Sequence, residues 1–311
     1  MKLVILDAKT LGNDIDISIF ESFGEVIRYE TTKSDEIAAR LNGATIAITN
    51  KVVIDQAVMD AVSTLKLICV TATGMNNVDL DYAAQKGIVV KNVAGYSTHS
   101  VAQHTITMAL SLIGKVRYYD DFCKSDEGWV KSPIFTNLDK PFFEIHGKRW
   151  GIIGLGTIGR QVATIASAFG AELCYYSTSG RNTTSDYIQL DLETLLKTCD
   201  IITIHAPLNA QTKNLLDANE LRMMKQDAIL INVGRGGIVN EHALVDAINN
   251  EKIYAGFDVV EIEPMRSHCP LRAVTCKERL LLSPHIAWAS VEARTKLVGL
   301  VANNIKAFLE Q

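Results

Sequence analysis

Three polar side chains stand just beyond apolar runs that read as strands: Arg235 in ILINVGRGGIVNEHAL, Glu263 in GFDVVEIEP and His285 in LLLSPHIAW. A cation, a carboxylate and an imidazole are the groups that an enzyme reducing a 2-oxo acid by hydride would need. Arginine grips a carboxylate through paired N–H donors. Histidine gives and takes a proton near neutrality. A carboxylate hydrogen-bonded to the imidazole favours the charged ring. Arg235 would thus hold the substrate carboxylate, His285 would protonate the developing alkoxide, and Glu263 would keep that acid charged. Taken singly, each residue has a plainer reading. An arginine beside glycines closes a turn, a lone histidine is more often structural, and EIEP can be an acidic surface loop that also holds Glu261. In an open α/β sheet, however, ligands collect outside the carboxyl ends of strands, and all three residues share that place.

The hydride source is read from RWGIIGLGTIGRQVATIASAFG. Gly154 permits a tight turn, Gly156 lets the backbone approach a pyrophosphate, and Gly159 lets the following helix pack close to the strand. The amides at the helix start face an anion. A glycine turn with no ligand is the plain alternative, and a methyltransferase or other mononucleotide fold is the competitor. The strand before and the helix after favour a dinucleotide. About 20 residues further on, an acid normally holds the ribose 2′-hydroxyl of NAD. Here the strand end reads ELCYYSTSGRNTTSD, with no carboxylate at its tip. Ser177, Thr178 and Arg181 could receive a 2′-phosphate instead, so NADP(H) is favoured and NAD(H) stays possible. An ordinary polar loop with an incidental arginine is the alternative.

These residues need a frame. KLVILDA, TIAITN and KLICVTAT, then RWGIIGLG, ELCYYST, IITIHAP, AILINVG, AGFDVV and LLLSPHIA, read as buried parallel strands. KSDEIAARLNG, DQAVMDAVST, IGRQVATIASAFG, LETLLKTC, NELRMMKQ and NEHALVDAINN read as intervening helices. This βαβ rhythm occurs twice, as expected for two doubly wound sheets. Between the halves, SVAQHTITMALSLIGKVRYYDDF reads as one long amphipathic helix, with Ser100 and Gln103 at capping-box spacing. SVEARTKLVGLVANNIKAFLEQ reads as a final helix. The 311 residues are 48% hydrophobic and 21% charged, enough for two packed cores and unlike a disordered chain. A net charge of −4 gives no basic field for nucleic acid. The six cysteines have no metal-type spacing, and several sit in apolar runs as buried thiols. No membrane span or signal peptide is apparent, so a cytoplasmic location is expected.

Over nearly its whole length the chain resembles the D-isomer-specific 2-hydroxyacid dehydrogenase family. GLGTIGR, HAPLNAQTKNLLDANELRMMKQDAILINVGRGGIVNE, GFDVVEIEP and SPHIAW carry the likeness. The resemblance implies two Rossmann-like doubly wound parallel-sheet domains, with the cofactor domain inserted into the substrate domain. The expected limits are 1–98 plus 286–311 for the substrate domain and 99–285 for the dinucleotide domain. Arg235, Glu263 and His285 match the family's catalytic positions, and Asp258 matches an acid near the nicotinamide. Thr157, Ile158, His205, Pro207 and Val233 join the glycines as cofactor contacts. TATGMNNVD matches a loop whose amides, around Thr73 and Gly74, hold the substrate carboxylate; Ala72 and Asn76 depart from the usual glycine and aspartate there. ITNKVVI, NVAGYSTHSVAQ and SPHIAWAS look most similar to glycerate dehydrogenases, also called hydroxypyruvate reductases. Lys51 would then lie near the substrate loop and Trp288 would wall the pocket, although a surface lysine and a core tryptophan are the plain readings. Glyoxylate, pyruvate or a bulkier 2-oxo acid are alternative substrates. A formate dehydrogenase would carry glutamine in place of Glu263. A dinucleotide-sensing corepressor would be a binding module that can keep the same triad. The likeness further implies a homodimer through residues 98–122, unless that apolar stripe is core.

Overall fold

The computed structural model describes residues 1–310. The chain forms two compact units. Unit 1 comprises Met1–Ser97 and the chain from Ala289 onward, and unit 2 comprises Thr98–Trp288.

Unit 1 is a parallel sheet of β1 (Lys2–Ile5), β2 (Glu25–Arg28), β3 (Ile46–Thr49), β4 (Leu67–Val70) and β5 (Val89–Lys91). Its order is β2-β1-β3-β4-β5, the flavodoxin-like doubly wound arrangement. Every residue of β3 and β4 is buried, as expected of parallel strands covered on both faces. β2 and β5 escape the sequence reading because they are edge strands with exposed charged ends. The connecting helices α1 (Ile37–Arg40), α2 (Gln56–Ala61) and α3 (Leu80–Gln85) are short. Asp55 and Asp79 cap the last two by accepting the amides of Val58 and Tyr82. Only the later part of KSDEIAARLNG is α-helical, since Ser34–Glu36 form a 3-10 turn.

Unit 2 carries helices α4 (Thr98–Ile113), α5 (Val116–Lys124), α6 (Thr157–Ala168), α7 (Leu192–Thr198), α8 (Ala218–Met223) and α9 (Glu241–Asn249). Its strands are β6 (Arg149–Ile153), β7 (Glu172–Tyr176), β8 (Ile188–Gln189), β9 (Ile201–Ile204), β10 (Ala228–Asn232), β11 (Ile253–Phe257) and β12 (Leu280–Leu282). The sheet is parallel throughout, in the order β12-β11-β10-β9-β6-β7-β8. Counted from β6, this is the 3-2-1-4-5-6 order of dinucleotide-binding sheets with a seventh strand added. One face buries Leu196, Ile202, Leu230 and Leu244, and the other buries Trp150, Val162, Ile229 and Ile231. The closing helix of the chain, α10 (Val291–Leu309), belongs to unit 1. Arg294 ties it to Asp14 at 2.6 Å and to the Leu11 carbonyl, and Asn304 Nδ2 donates to the Asn92 carbonyl.

The central segment differs from the expected single helix. Gly114 ends α4, and Lys115 takes a left-handed φ of +51° before α5 begins. Ser100 is the third residue of α4 rather than its cap, and its hydroxyl donates to the Ala287 carbonyl. The α4 stripe of Val101, Ile106, Met108, Ala109 and Leu112 is core of unit 2, packed with α6, β10 and β11. Exposed apolar side chains lie further on, with Val130 82% and Phe135 88% exposed. Cys69, Cys174 and Cys199 are buried, whereas Cys123 is exposed. Among the described residues, no helix is long and apolar enough to cross a membrane.

Candidate active site

The glycine turn sits where the order of the unit 2 sheet reverses, between β6 and β9. Gly154 has φ +93°, and a Cβ there would lie 2.8 Å from the Ala206 amide nitrogen. Its own amide donates to the Tyr176 carbonyl, which draws the turn against the end of β7. Gly159 is packed so closely that a Cβ would stand 2.4 Å from the Gly154 carbonyl oxygen. A Cβ on Gly156 would meet nothing within 4 Å. Gly156 is also the N-cap of α6 and supplies no side-chain acceptor, so no capping side chain serves the amides of Thr157, Ile158 and Gly159. An open space in front of uncapped helical amides fits a pyrophosphate.

Two buried polar atoms near this turn have no partner, Ser177 Oγ and His205 Nδ1. Ser177 directly follows β7, where the adenosine ribose of a dinucleotide would come, so an unsatisfied hydroxyl fits that group. Thr178 follows it, and Arg181 is exposed, with its backbone amide on Ser179 Oγ. The loop is tied to α6 through Arg160, which donates to the Thr183 carbonyl. His205 directly follows β9, its Nε2 is 3.0 Å from Thr203 Oγ1, and burial pushes its pKa down to about 3. Pro207 follows it in an exposed loop, while Val233 is buried just past β10.

Arg235 is presented by a turn that Asn232 closes. Asn232 Oδ1 accepts the Gly234 amide and its Nδ2 donates to the Arg235 carbonyl. A Cβ on Gly236 would stand 2.0 Å from the Val260 carbonyl oxygen, so the loops after β10 and β11 can touch only because position 236 is glycine. Buried Glu241 steadies the second loop by accepting the Glu261 amide at 2.6 Å. That loop carries Glu263, whose Oε1 accepts the Val260 amide and whose Oε2 lies 2.6 Å from His285 Nδ1. Acid and imidazole are thus brought together, leaving Nε2 as the other ring atom.

His285 has a left-handed φ of +54°. For a residue with a Cβ this costs about 1–3 kcal/mol and persists only where the surroundings over-determine it. Here the His285 amide donates to the Asp258 carbonyl at 2.7 Å. The Asp258 carboxylate accepts the amides of Ile286 and Ala287 and the hydroxyl of Ser283. Asp258 is 1% exposed, so the acid expected beside the nicotinamide spends its oxygens on the histidine segment. Trp288 packs against the cluster that includes Val101, Ala102 and Ala287.

The remaining expected residues belong to unit 1 and are described within it. Lys51 follows β3, and its amide donates to Asp7 Oδ2 at 2.7 Å. The buried Asp7 carboxylate also accepts the Asn50 amide, which fixes that turn. Thr73 is pinned twice: its Oγ1 donates to the Val93 carbonyl, and its own carbonyl accepts Asn92 Nδ2 at 2.6 Å. Gly74 follows in the same loop. Asp7, Asn232, Gly236, Glu241 and Ser283 were not singled out from the sequence. Their common signal is a polar residue or glycine at or just beyond a strand or helix start, which is too frequent a pattern to select them.

Residues 106–287 match the family model described as D-isomer specific 2-hydroxyacid dehydrogenase, NAD binding domain. A glycerate dehydrogenase of Methylorubrum extorquens is 37% identical over 310 residues, covering 99% of this chain and 96% of its own. A hydroxypyruvate reductase of Blautia hydrogenotrophica is 34% identical over 319 residues, covering 100% and 97%. Among solved structures, an NADPH-dependent glyoxylate/hydroxypyruvate reductase from Sinorhizobium meliloti, in complex with NADP and malonate, is 27% identical with a TM-score of 0.81. That match covers 99% of this chain and 93% of the other.

Proposed function

The chain belongs to the D-isomer specific 2-hydroxyacid dehydrogenase family and is therefore an NAD(P)-dependent oxidoreductase, and from that premise we propose that it reduces small 2-oxo acids of the hydroxypyruvate and glyoxylate type, with NADPH preferred over NADH. The observation that carries the reading is the 2.6 Å contact between Glu263 Oε2 and His285 Nδ1, on a loop that touches the one presenting Arg235.

The glycine turn and the first amides of α6 would hold the pyrophosphate of a nicotinamide dinucleotide, which when bound would supply the hydride for the carbonyl carbon. Arg235 orients the substrate carboxylate through paired donors. His285 Nε2 gives its proton to the carbonyl oxygen as charge develops there. Glu263 accepts from Nδ1–H, which fixes the ring and opposes its positive charge. The amides of Thr73 and Gly74 are assigned to the substrate carboxylate and Lys51 to the substrate, on family resemblance. Leu208, Ile262 and Ile286 are exposed apolar side chains on the unit 2 loops, available to exclude water around a bound substrate. The NADPH preference rests on the lack of a carboxylate among Ser177, Thr178, Ser179, Gly180 and Arg181, and on the unpartnered Ser177 hydroxyl. A homodimer is assigned to the exposed apolar stretch that includes Trp129, Val130, Phe135, Leu138 and Phe142, rather than to the stripe of α4.

The test is the initial rate of NADPH and NADH oxidation with hydroxypyruvate, glyoxylate and pyruvate, alongside the variants Ser177→Ala and Arg181→Ala. NADPH is expected to give the higher kcat/KM with hydroxypyruvate or glyoxylate, and both variants are expected to narrow that preference. Faster turnover of pyruvate than of either acid overturns the substrate assignment. Equal use of both cofactors overturns the assignment of the Ser177–Arg181 loop. Mass measurement in solution checks the dimer.

A further inference from the structure

We propose that helix α4 positions the reacting histidine, with Ser100 and His104 holding the two ends of the Ser283–Ala287 segment that carries His285. Ser100 and His104 are four residues apart and so lie on one face of the helix. Ser100 Oγ donates to the Ala287 carbonyl at 2.6 Å, at the far end of the segment. His104 Nε2 is 2.9 Å from Ser283 Oγ, at its near end. Ser283 gives its own proton to Asp258 Oδ1 at 2.5 Å. Its oxygen is therefore the acceptor towards His104, and His104 carries its proton on Nε2. The chain of donors runs from His104 through Ser283 to Asp258, which takes the amides of Ile286 and Ala287 on its two oxygens.

This inference rests on the reading of His285 as the proton donor, and it explains how the ring is held. A left-handed residue relaxes unless its neighbours prevent it. The segment 283–287 is prevented at three places, two on α4 and one on Asp258. Ser100, His104 and Ser283 act on the segment that carries His285, through Ala287, Ser283 and Asp258, so all three are positioning residues. Displacement of a catalytic group by about 1 Å can lower a rate about 100-fold. Removing the hold should therefore appear in kcat, while the glycine turn that receives the cofactor follows β6, far along the chain from the 283–287 segment.

The experiment compares wild type with His104→Leu, His104→Gln, Ser100→Ala and Ser283→Ala. Gln places an amide N–H near the position of the imidazole Nε2–H and restores the donor, whereas Leu does not. Expected results are a kcat about 10- to 100-fold lower in His104→Leu and Ser283→Ala, with an unchanged Kd for NADPH, and recovery of most of the rate in His104→Gln. Ser100→Ala should lie between wild type and His104→Leu. Histidine labelled with 13C at Cε1 supplies a readout that needs no turnover, with the His285 signal identified by its loss in His285→Asn. That signal should move or broaden in His104→Leu and Ser283→Ala and return in His104→Gln. Rates within twofold of wild type, with an unmoved His285 signal, overturn the proposal. Failure of His104→Gln to recover either readout also overturns it, because bulk alone would then explain the loss. Should His104→Leu not fold, Ser283→Ala and Ser100→Ala carry the same test. If wild type turns over no 2-oxo acid, the functional reading fails on that result alone, and the labelled signal still decides the positioning role.

Discussion

Substituting alanine at Gly156 and at Gly159 should separate cofactor affinity from fold stability. The Cβ of Gly159→Ala would stand 2.4 Å from the Gly154 oxygen and 3.1 Å from Ile152 Cγ2. A carbon and an oxygen settle about 3.2–3.5 Å apart, so α6 must withdraw by most of an ångström from a tightly packed strand. Overpacking of this kind costs about 1–3 kcal/mol. For a unit of this size each kcal/mol lowers Tm by about 2–4 °C. The Cβ of Gly156→Ala would meet no atom within 4 Å, and its φ of −78° and ψ of −165° suit alanine. The fold should lose only the small difference between glycine and alanine at an N-cap, below about 1 kcal/mol. That methyl would, however, stand where the pyrophosphate must approach. A tenfold weaker Kd, about 1.4 kcal/mol, is the expected minimum. The assay is thermal unfolding with and without NADPH at 100 times the wild-type Kd. Such a concentration stabilises wild type by about 2.7 kcal/mol, and tenfold weaker binding cuts this to about 1.4, so the ligand-induced rise in Tm should halve. Gly156→Ala with the full rise would refute the placement of the pyrophosphate. Gly159→Ala with wild-type Tm would refute the packing argument.

Three further outcomes are expected. His285→Ala should lower kcat by about 100- to 10,000-fold with little change in KM, whereas Arg235→Ala should lower kcat and raise KM together; steady-state kinetics decide, and normal turnover by His285→Ala would sink the acid assignment. Burial holds His205 at about 3 against 6.5 in the unfolded chain, so the unfolded state alone takes the proton as pH falls below 6.5. Stability is then unaffected at neutral pH and is lost progressively from pH 6.5 towards pH 3, by about 2 kcal/mol at pH 5. Urea unfolding at pH 7 and pH 5 should show that loss in wild type but not in His205→Asn, and equal losses would mean that the folded ring takes the proton. Lys115 lies half-buried with its ammonium over the Tyr254 ring, and burial lowers its pKa to about 8. Limited acylation at pH 7.5, read by peptide mass, should therefore modify Lys115 ahead of exposed lysines, and random labelling would contradict this.

The parts of the site that rest on local chain signals were legible in the sequence. GLGTIG announces a strand, a turn and a helix within a few residues, and Arg235 and His285 each stand just beyond the end of an apolar strand. Spatial partners were less so. Asp258 and Ser283 are separated by 25 positions, and their hydrogen bond has no trace in either local pattern. The close approach at Gly236 depends on Val260, which only the folded loops bring near. Strand EVIR was lost because an edge strand needs no continuous apolar run. The helical period through residues 98–122 continues across Lys115, so the sequence does not betray the turn made there. Exposure of Phe135 and Val130 was likewise hidden, since apolar residues in a loop read the same whether covered or bare.

The discontinuous make-up of unit 1 has a consequence for the order in which the protein is made. Its sheet strands leave the ribosome first, but α10, which packs Leu297, Val301 and Ile305 into that unit, is synthesised only after all of unit 2. Domains generally fold as they emerge, and unit 2 is one uninterrupted stretch of chain. It can therefore be complete while unit 1 still shows the apolar surface that α10 will cover and Asp14 still lacks Arg294. Until α10 docks, a finished dinucleotide fold is joined to an unfinished sheet, so early dinucleotide binding would not report completion of the molecule.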